Sequence, residues 1–330
     1  MAVTIEDIKK LRKLTSAGLS DCKAALNETN GDMEAAVEIL RQKGKAIAAK
    51  REDRNASEGC VLADVKGNFA AIVALNCETD FVAKNQGFVD LTKQLLNLAL
   101  DNKVKSLDEL NALVVEGRTV ADLVVEESGK TGEKTEISAY ECLEAPSVVA
   151  YNHLGNKLST IVAFNQDGVD HQVMKDVAMQ VAAMNPVAVD RDNVPQAAKD
   201  SEYNVAVEKT KEEQVHKAVE AALKKAGINP NLVDSEDHIS SNIAKGWLTE
   251  EEAEKARVVA KEAAEKKAAN LPEQMIQNIA NGRLNKFFKE NCLMEQEFVK
   301  DANLTIGQYL EASSKGLVVA EFKRVNLNED

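Results

Sequence analysis

The chain has 330 residues, enough for two or more domains that each bury an apolar core. Apolar residues make up 44% of it and aromatic residues only 4%, which excludes a largely disordered chain and favours a helix-rich protein. The net charge of −13 argues against a general nucleic-acid binder, because such proteins cluster Lys and Arg against the phosphate backbone.

The N-terminal segment is predicted to be a helical module. Thr4 and Asp7 have the spacing of a capping box, Ser20 is placed to cap a second helix, and Gly31-Asp32 separates that helix from a third. Three short helices of this kind predict a three-helix bundle. The basic, Ala-rich run 43–54 predicts a helical linker after it.

Two later segments follow the same plan of strand, turn, strand and helix. The predicted strands are residues 59–65 and 69–75 in the first segment and residues 147–153 and 158–164 in the second. The run Ala71–Asn76 aligns with Thr160–Asn165 at the end of the second strand of each pair. The repeat predicts a duplicated α+β core.

The rest of the chain completes a four-part prediction. Residues 101–130 are predicted to be helical, residues 134–145 and 317–322 to be strands, and the charge-rich runs 208–225 and 249–269 to be a solvated helical hairpin. The predicted parts are the module with its linker (1–54), core unit 1 (55–146), core unit 2 with the tail (147–200 and 271–330) and the inserted hairpin (201–270).

No enzyme signature is found in the sequence. There is neither a phosphate-binding loop of the G-x-x-x-x-G-K-S/T kind nor a G-x-S-x-G nucleophile elbow. The four histidines lack metal-ligand spacing, and the five cysteines are odd in number with no close pair. We therefore expect no metal and no cofactor. Free thiols, the lack of a signal-peptide pattern and the lack of a membrane-length apolar run predict a cytoplasmic protein.

The most informative stretch follows the apolar run 70–75. An acid and an aromatic residue, Asp80 and Phe81, stand side by side just after the predicted strand. An exposed Phe beside a carboxylate is a candidate wedge for a partner surface. The alternative is a strand-to-helix connection with Phe81 packed inward, and residue types alone favour this second interpretation.

Cys77 and His153 also have two interpretations each. Cys77 has no adjacent histidine in the sequence, so a packed thiol is favoured over a nucleophile. His153 ends a predicted strand at a turn, where a surface histidine is favoured over a functional one.

Several segments resemble signatures of the bacterial elongation factor Ts family. Leu11–Leu26 resembles the family's first signature and Asn76–Asn85 its second. Further similar segments, in the family's order and covering most of the chain, are residues 151–153, 178–186 and 282–287. The resemblance implies a ubiquitin-associated-like N-terminal module, a duplicated α+β core and an inserted helical hairpin.

The resemblance also implies a function. Members of this family are guanine-nucleotide exchange factors that bind the GTPase elongation factor Tu, GDP-bound or nucleotide-free, and promote release of GDP so that GTP can bind. No covalent chemistry, nucleic acid or membrane takes part.

The family match implies the following site residues. Thr79, Asp80, Phe81 and Val82 form the loop that enters the partner's nucleotide domain and disturbs its magnesium and phosphate site, which reverses the preference for a packed Phe81. The other implied contacts are Leu11, Gly18, Leu19, Cys22 and Lys23 in the module, His153 in the second core unit, and Ile279 and Arg283, which would meet another domain of the partner.

Three residues depart from the family's usual pattern: Ser16 stands in place of Gly, Gln180 in place of His, and Glu297 in place of Pro. The insertion 201–270 is longer than in many relatives; a solvated hairpin is favoured over a new binding site, and a homodimer formed through it is left open. The alternatives to an exchange factor are a scaffold that captures other partners with the N-terminal module and a Cys77-dependent enzyme.

Overall fold

The computed structural model describes residues 3–15 and 17–329, so Ser16 lies outside the described residues. The helices are α1 (Ile5–Thr15), α2 (Leu19–Glu28), α3 (Met33–Lys50), α4 (Asp80–Ala83), α5 (Gln86–Asn102), α6 (Leu107–Ala112), α7 (Val120–Thr131), α8 (His171–Met184), α9 (Gln196–Lys225), α10 (Glu236–Ala244), α11 (Glu250–Ala269), α12 (Glu273–Asn291) and α13 (Ile306–Ser313). The strands are β1 (Glu58–Lys66), β2 (Phe69–Cys77), β3 (Val114–Val115), β4 (Arg118–Thr119), β5 (Glu136–Glu144), β6 (Ser147–Asn152), β7 (Leu158–Phe164), β8 (Glu297–Phe298), β9 (Asp301–Thr305) and β10 (Val319–Asn326).

This mixture of helices and separate antiparallel sheets confirms the predicted α+β class. The chain divides into two compact units: Met1–Val189 together with Glu297–Asp330, and Asp190–Gln296. The finer four-part division stays a prediction. No helix among the described residues has both the length and the apolar content needed to cross a bilayer.

The N-terminal helices pack around Leu11, Cys22 and Leu26. The predicted capping box is present, since Thr4 N donates to Asp7 Oδ2 at 3.0 Å and Asp7 N donates to Thr4 Oγ1 at 3.2 Å. The run 43–54, predicted as a helical linker, is helical as far as Lys50 and continues the third helix of the module. Helix α3 continues without a break to Lys50, because Ala and Lys are good helix formers and its one internal glycine packs against another helix.

That packing occurs where α3 meets α7. A Cβ added at Gly129 of α7 would lie 2.6 Å from the Cα of Gly44, which no real contact allows, whereas a Cβ added at Gly44 would lie 3.6 Å from the Cα of Gly129. The contact is reinforced by Lys45 Nζ, which lies 3.2 Å from Asp122 Oδ1. The close approach of the two backbones therefore depends on the absence of a side chain at position 129.

The first sheet has the order β1-β2-β5 and is antiparallel throughout. Strand β2 is buried along its whole length because both of its faces are covered. Alternate residues such as Val73 and Leu75 pack in a cluster with Phe88 and Leu95 of α5. The residues between them, such as Ile72, pack in a second cluster that includes residues of β6 and β7.

The second sheet repeats this arrangement in the order β10-β7-β6, which confirms the predicted duplication. In each sheet two strands form a hairpin, and the third strand pairs with the other edge of the hairpin's second strand. The two sheets are joined by Asn152, whose Oδ1 accepts from Ala63 N at 2.7 Å and whose Nδ2 donates to Ala63 O at 2.8 Å.

Two regions differ from the sequence-based prediction. Residues 101–130 are not continuously helical, because Glu116 (φ 50°) and Gly117 (φ 79°) form a tight turn between β3 and β4. The inserted region is more than a hairpin, because α10 lies between α9 and α11. Its residue Ile239 packs with Leu248 and Ala253 in a small core of the second unit.

Gln180 and Glu297, two departures from the family's pattern, contact each other. Gln180 is buried; its Nε2 donates to the Glu297 carbonyl at 3.1 Å, and its Oε1 accepts from Val299 N at 3.0 Å. The Gln180 amide thus anchors β8 to α8 through both of its polar ends.

We expect Gly129→Ala to destabilise the protein by about 1–3 kcal/mol, the usual cost of overpacking, since the new methyl group must push α3 away from α7. Gly44→Ala is the matched control: its Cβ meets only ordinary contacts, and alanine is the better helix former. Thermal unfolding of both variants measures the difference. Equal melting temperatures would contradict the packing at this contact.

Candidate functional site

The candidate site is the segment between β2 and α5, residues 78–83, which we call the α4 loop. Thr79 caps its single helical turn, and its Oγ1 accepts from Val82 N at 3.5 Å. Val82 and Ala83 pack against the first core cluster, whereas the Phe81 residue is 84% exposed. Successive helical residues point about 100° apart, so burial of positions 82 and 83 turns position 81 to solvent. The inward-packed interpretation of Phe81 is wrong.

Asp80 lies beside Phe81 and is paired within the same loop region. Lys84 Nζ donates to Asp80 Oδ2 at 2.6 Å, and this hydrogen bond lowers the pKa of the Asp80 carboxyl. The positive charge of Lys157 lowers that pKa further. The loop therefore presents an ionised carboxylate next to an exposed aromatic ring at neutral pH.

A carboxylate from a distant part of the sequence holds the backbone of this loop. Glu133 Oε2 accepts from Glu78 N at 3.1 Å and from Thr79 N at 3.0 Å, and Glu133 Oε1 accepts from Thr79 Oγ1 at 2.7 Å. Glu133 follows Gly132, which ends α7 in the left-handed region with φ 72°. Sequence reasoning missed Glu133. Gly132 signals a helix end but does not indicate what the next side chain contacts.

The Glu78 side chain in turn contacts the segment that contains Glu133. Its Oε1 accepts from Lys134 N at 2.7 Å, and its two oxygens lie 3.1 and 2.9 Å from Arg51 Nη1. Arg51 is the C-cap residue directly after α3. The α4 loop is thus connected both to the end of α7 and to the end of the N-terminal module's last helix.

Cys77 is buried just before the loop. Its Sγ donates to Thr79 O at 3.2 Å, and burial raises the pKa of the thiol to about 12, with the Glu133 charge adding to the effect. Because the thiolate is the nucleophilic form, Cys77 is inert at neutral pH. Within residues 3–15 and 17–329, no group of three or more His, Cys, Asp or Glu side chains is arranged to hold a metal ion.

His153 is exposed in the turn between β6 and β7, and its Nδ1 lies 3.0 Å from Tyr151 Oη. The turn is firmly held: Val61 N donates to Asn156 O at 2.7 Å, and Lys157 Nζ lies 2.8 Å from Glu58 Oε2. The positive charge of Lys157 in this turn contributes to the lowered pKa of the Asp80 carboxyl.

The other predicted site residues are distributed between the two units. In the module, Gly18, Leu19 and Lys23 are exposed at the start of α2, whereas Leu11 and Cys22 are fully buried in the bundle.

In the second unit, Ile279 and Arg283 lie four residues apart on α12, and both are half-buried. Arg283 Nη2 donates to Glu213 Oε1 at 2.6 Å, so Arg283 is already paired within its own unit.

These features define an α+β protein with a duplicated strand–turn–strand–helix core and an exposed acid–aromatic loop. A sequence model described as Elongation factor TS matches residues 78–226 and 205–329. Elongation factor Ts of Bacteroides thetaiotaomicron is 56% identical to this chain, with 100% of each chain covered. Elongation factor Ts of Porphyromonas gingivalis is 46% identical, again over 100% of each, and that of Azobacteroides pseudotrichonymphae is 43% identical over 99% of each. The chain belongs to the elongation factor Ts family.

We expect Cys77 to resist iodoacetamide at pH 8 in the folded protein and to react once the chain is unfolded in urea. The raised pKa leaves almost no thiolate, and burial blocks access. Peptide mass spectrometry after timed labelling measures both states. Rapid labelling of Cys77 in the folded protein would support the alternative hypothesis of a Cys77-dependent enzyme.

Proposed function

We propose that this protein is a guanine-nucleotide exchange factor for the GTPase elongation factor Tu. It binds the GDP-bound partner, promotes release of GDP and holds the nucleotide-free form until GTP binds, without covalent chemistry of its own. The observation that carries the proposal is the Phe81 side chain, held in water beside the ionised Asp80 on a firmly bonded loop. Membership in the elongation factor Ts family supports the same partner.

Exchange follows from competition between two ligands of one partner. Suppose that the protein binds the nucleotide-free partner best. Bound nucleotide then lowers the affinity of the protein for the partner, and bound protein lowers the affinity of the nucleotide for the partner by the same ratio. A shift of ~10⁴ in such an equilibrium needs about 5.5 kcal/mol of differential binding. Burial of one Phe side chain supplies about 1.5–3 kcal/mol. Phe81 alone is therefore insufficient, and other contacts must contribute.

Asp80 and the docking surfaces are the proposed sources of the remainder. A carboxylate brought near the partner's magnesium and phosphate site would compete with the phosphates for the cation, which prefers oxygen ligands. Leu19 and Lys23, with the backbone of Gly18, form the exposed docking surface of the module. Leu11 and Cys22 act from inside the bundle by fixing the position of α2.

His153, Ile279 and Arg283 are proposed as further partner contacts, with Arg283 held in place by Glu213. The activity belongs in the cytoplasm, where translation takes place, and requires neither nucleic acid nor a membrane. The alternative of a scaffold that does not promote exchange uses the N-terminal module alone and gives the exposed Phe81 no role.

The direct test is release of labelled GDP from elongation factor Tu with and without this protein. We expect strong acceleration at micromolar concentration. No acceleration at that concentration, with docking intact, would favour the scaffold.

We expect the double variant Asp80→Ala with Phe81→Ala to slow the maximal release rate about tenfold or more, since burial of the Phe side chain is worth about 1.5–3 kcal/mol. Its affinity for the GDP-bound partner should fall much less, because initial docking uses the module's surface, which is untouched. Val114→Ala, which truncates an exposed apolar side chain in the β3–β4 hairpin, is the control and should release GDP at the normal rate. Equal losses of rate and affinity in the double variant would contradict the wedge mechanism.

A further inference from the structure

The Glu133 carboxylate has no role in the function proposed above, yet it makes three hydrogen bonds to the segment that begins the α4 loop. We propose that Glu133 is a positioning residue for exchange: it fixes the direction in which Phe81 leaves the protein, and Arg51 and Glu78 link that direction to the N-terminal module. This inference rests on the proposed function, and the experiment below separates the two.

The connection between the two segments is reciprocal. The Glu133 side chain accepts from the backbone amides of residues 78 and 79, and the Glu78 side chain accepts from the backbone amide of residue 134. Each carboxylate therefore satisfies backbone donors of the opposite segment. Hydrogen bonds to ionised acceptors are stronger than neutral ones, so this pair is a rigid joint. We call it the Glu78–Glu133 clasp.

One carboxylate of the clasp is also paired with a positive charge. Arg51 Nη1 lies 2.9 Å from Glu78 Oε2. Because Arg51 directly follows α3, the same ion pair connects the loop to the module that carries the docking residues Leu19 and Lys23. The same set of polar contacts around Glu78 thus connects the docking module to the loop that presents Phe81.

The position of Phe81 depends on this joint because its own side chain has almost no packing. Val82 and Ala83 anchor the C-terminal end of the loop in the first core cluster. Polar contacts hold the N-terminal end, which the Glu133 carboxylate grips at residues 78 and 79. Removal of the carboxylate leaves the core packing intact but frees the backbone before Asp80. A mobile loop loses conformational entropy when it enters the partner. This loss lowers the rate of exchange more than it lowers the affinity of the initial docking.

The experiment compares Glu133→Ala and Glu133→Gln with Glu136→Gln as the matched control. Glu136 is a nearby carboxylate that pairs with Lys134 Nζ at 3.1 Å and makes no described contact with the α4 loop. The first readout is amide hydrogen exchange at residues 78 and 79 in the free protein. The second is the maximal rate of GDP release from elongation factor Tu set against the dissociation constant for the GDP-bound partner.

For Glu133→Ala we expect amide exchange at residues 78 and 79 to rise about tenfold or more, as the loss of charge-assisted hydrogen bonds predicts. The maximal release rate should fall about fivefold or more, while the dissociation constant changes by less than about threefold. Glu133→Gln retains a carbonyl acceptor and a similar shape, so it should fold normally and give losses between those of Glu133→Ala and the control.

Release at the control rate in Glu133→Ala, or a loss of affinity equal to the loss of rate, would overturn the positioning role. If the unchanged protein fails to accelerate GDP release, the proposed function fails instead. In that case the amide readout still decides about the clasp: faster exchange at residues 78 and 79 in Glu133→Gln supports it, and unchanged exchange refutes it.

Discussion

An aromatic side chain can stand in water at a defined position only if the backbone beneath it is held by other groups. Phe81 meets this condition through the hydrogen bonds between the Glu133 carboxylate and the backbone at residues 78 and 79. The other features of the site depend on that joint. Asp80 keeps its place beside the ring, and Arg51 connects the loop to the module through Glu78. Without it, residues 79–81 would be a short, solvated and mobile turn.

The two core units show how one plan produced two different loops. In both, an asparagine near the end of the central strand bonds to backbone: Asn76 Nδ2 donates to Ala56 O at 2.8 Å, and Asn165 Nδ2 donates to Gly316 O at 3.0 Å. After Asn165 the chain bends, and Gln166 Nε2 donates to Lys315 O at 2.9 Å. After Asn76 it continues into the α4 loop. The duplication therefore provides equivalent scaffolds, of which the first carries the acid–aromatic pair.

The proposed partner binding and exchange place opposite demands on this structure. The proposed docking uses exposed groups that can be desolvated, such as Leu19 and Lys23. Exchange needs a group whose position survives contact with the partner, which favours a loop anchored by charge-assisted hydrogen bonds over one anchored by its own packing. Leu11 and Cys22 are buried in the bundle, so their proposed contribution to docking is the packing that fixes α2.

The sequence by itself determined the class of the fold and the identity of the loop. Apolar runs bounded by turn signals predict the hairpins β1–β2 and β6–β7, and the repeat of Ala71–Asn76 in Thr160–Asn165 predicts the duplication, because these are local patterns set by strand geometry. Only the tertiary structure decided which way Phe81 faces and what holds it there. Glu133 lies more than fifty residues from Thr79 along the chain, with α5, α6, the β3–β4 hairpin and α7 between them. No local periodicity encodes a contact that the folding of these elements creates.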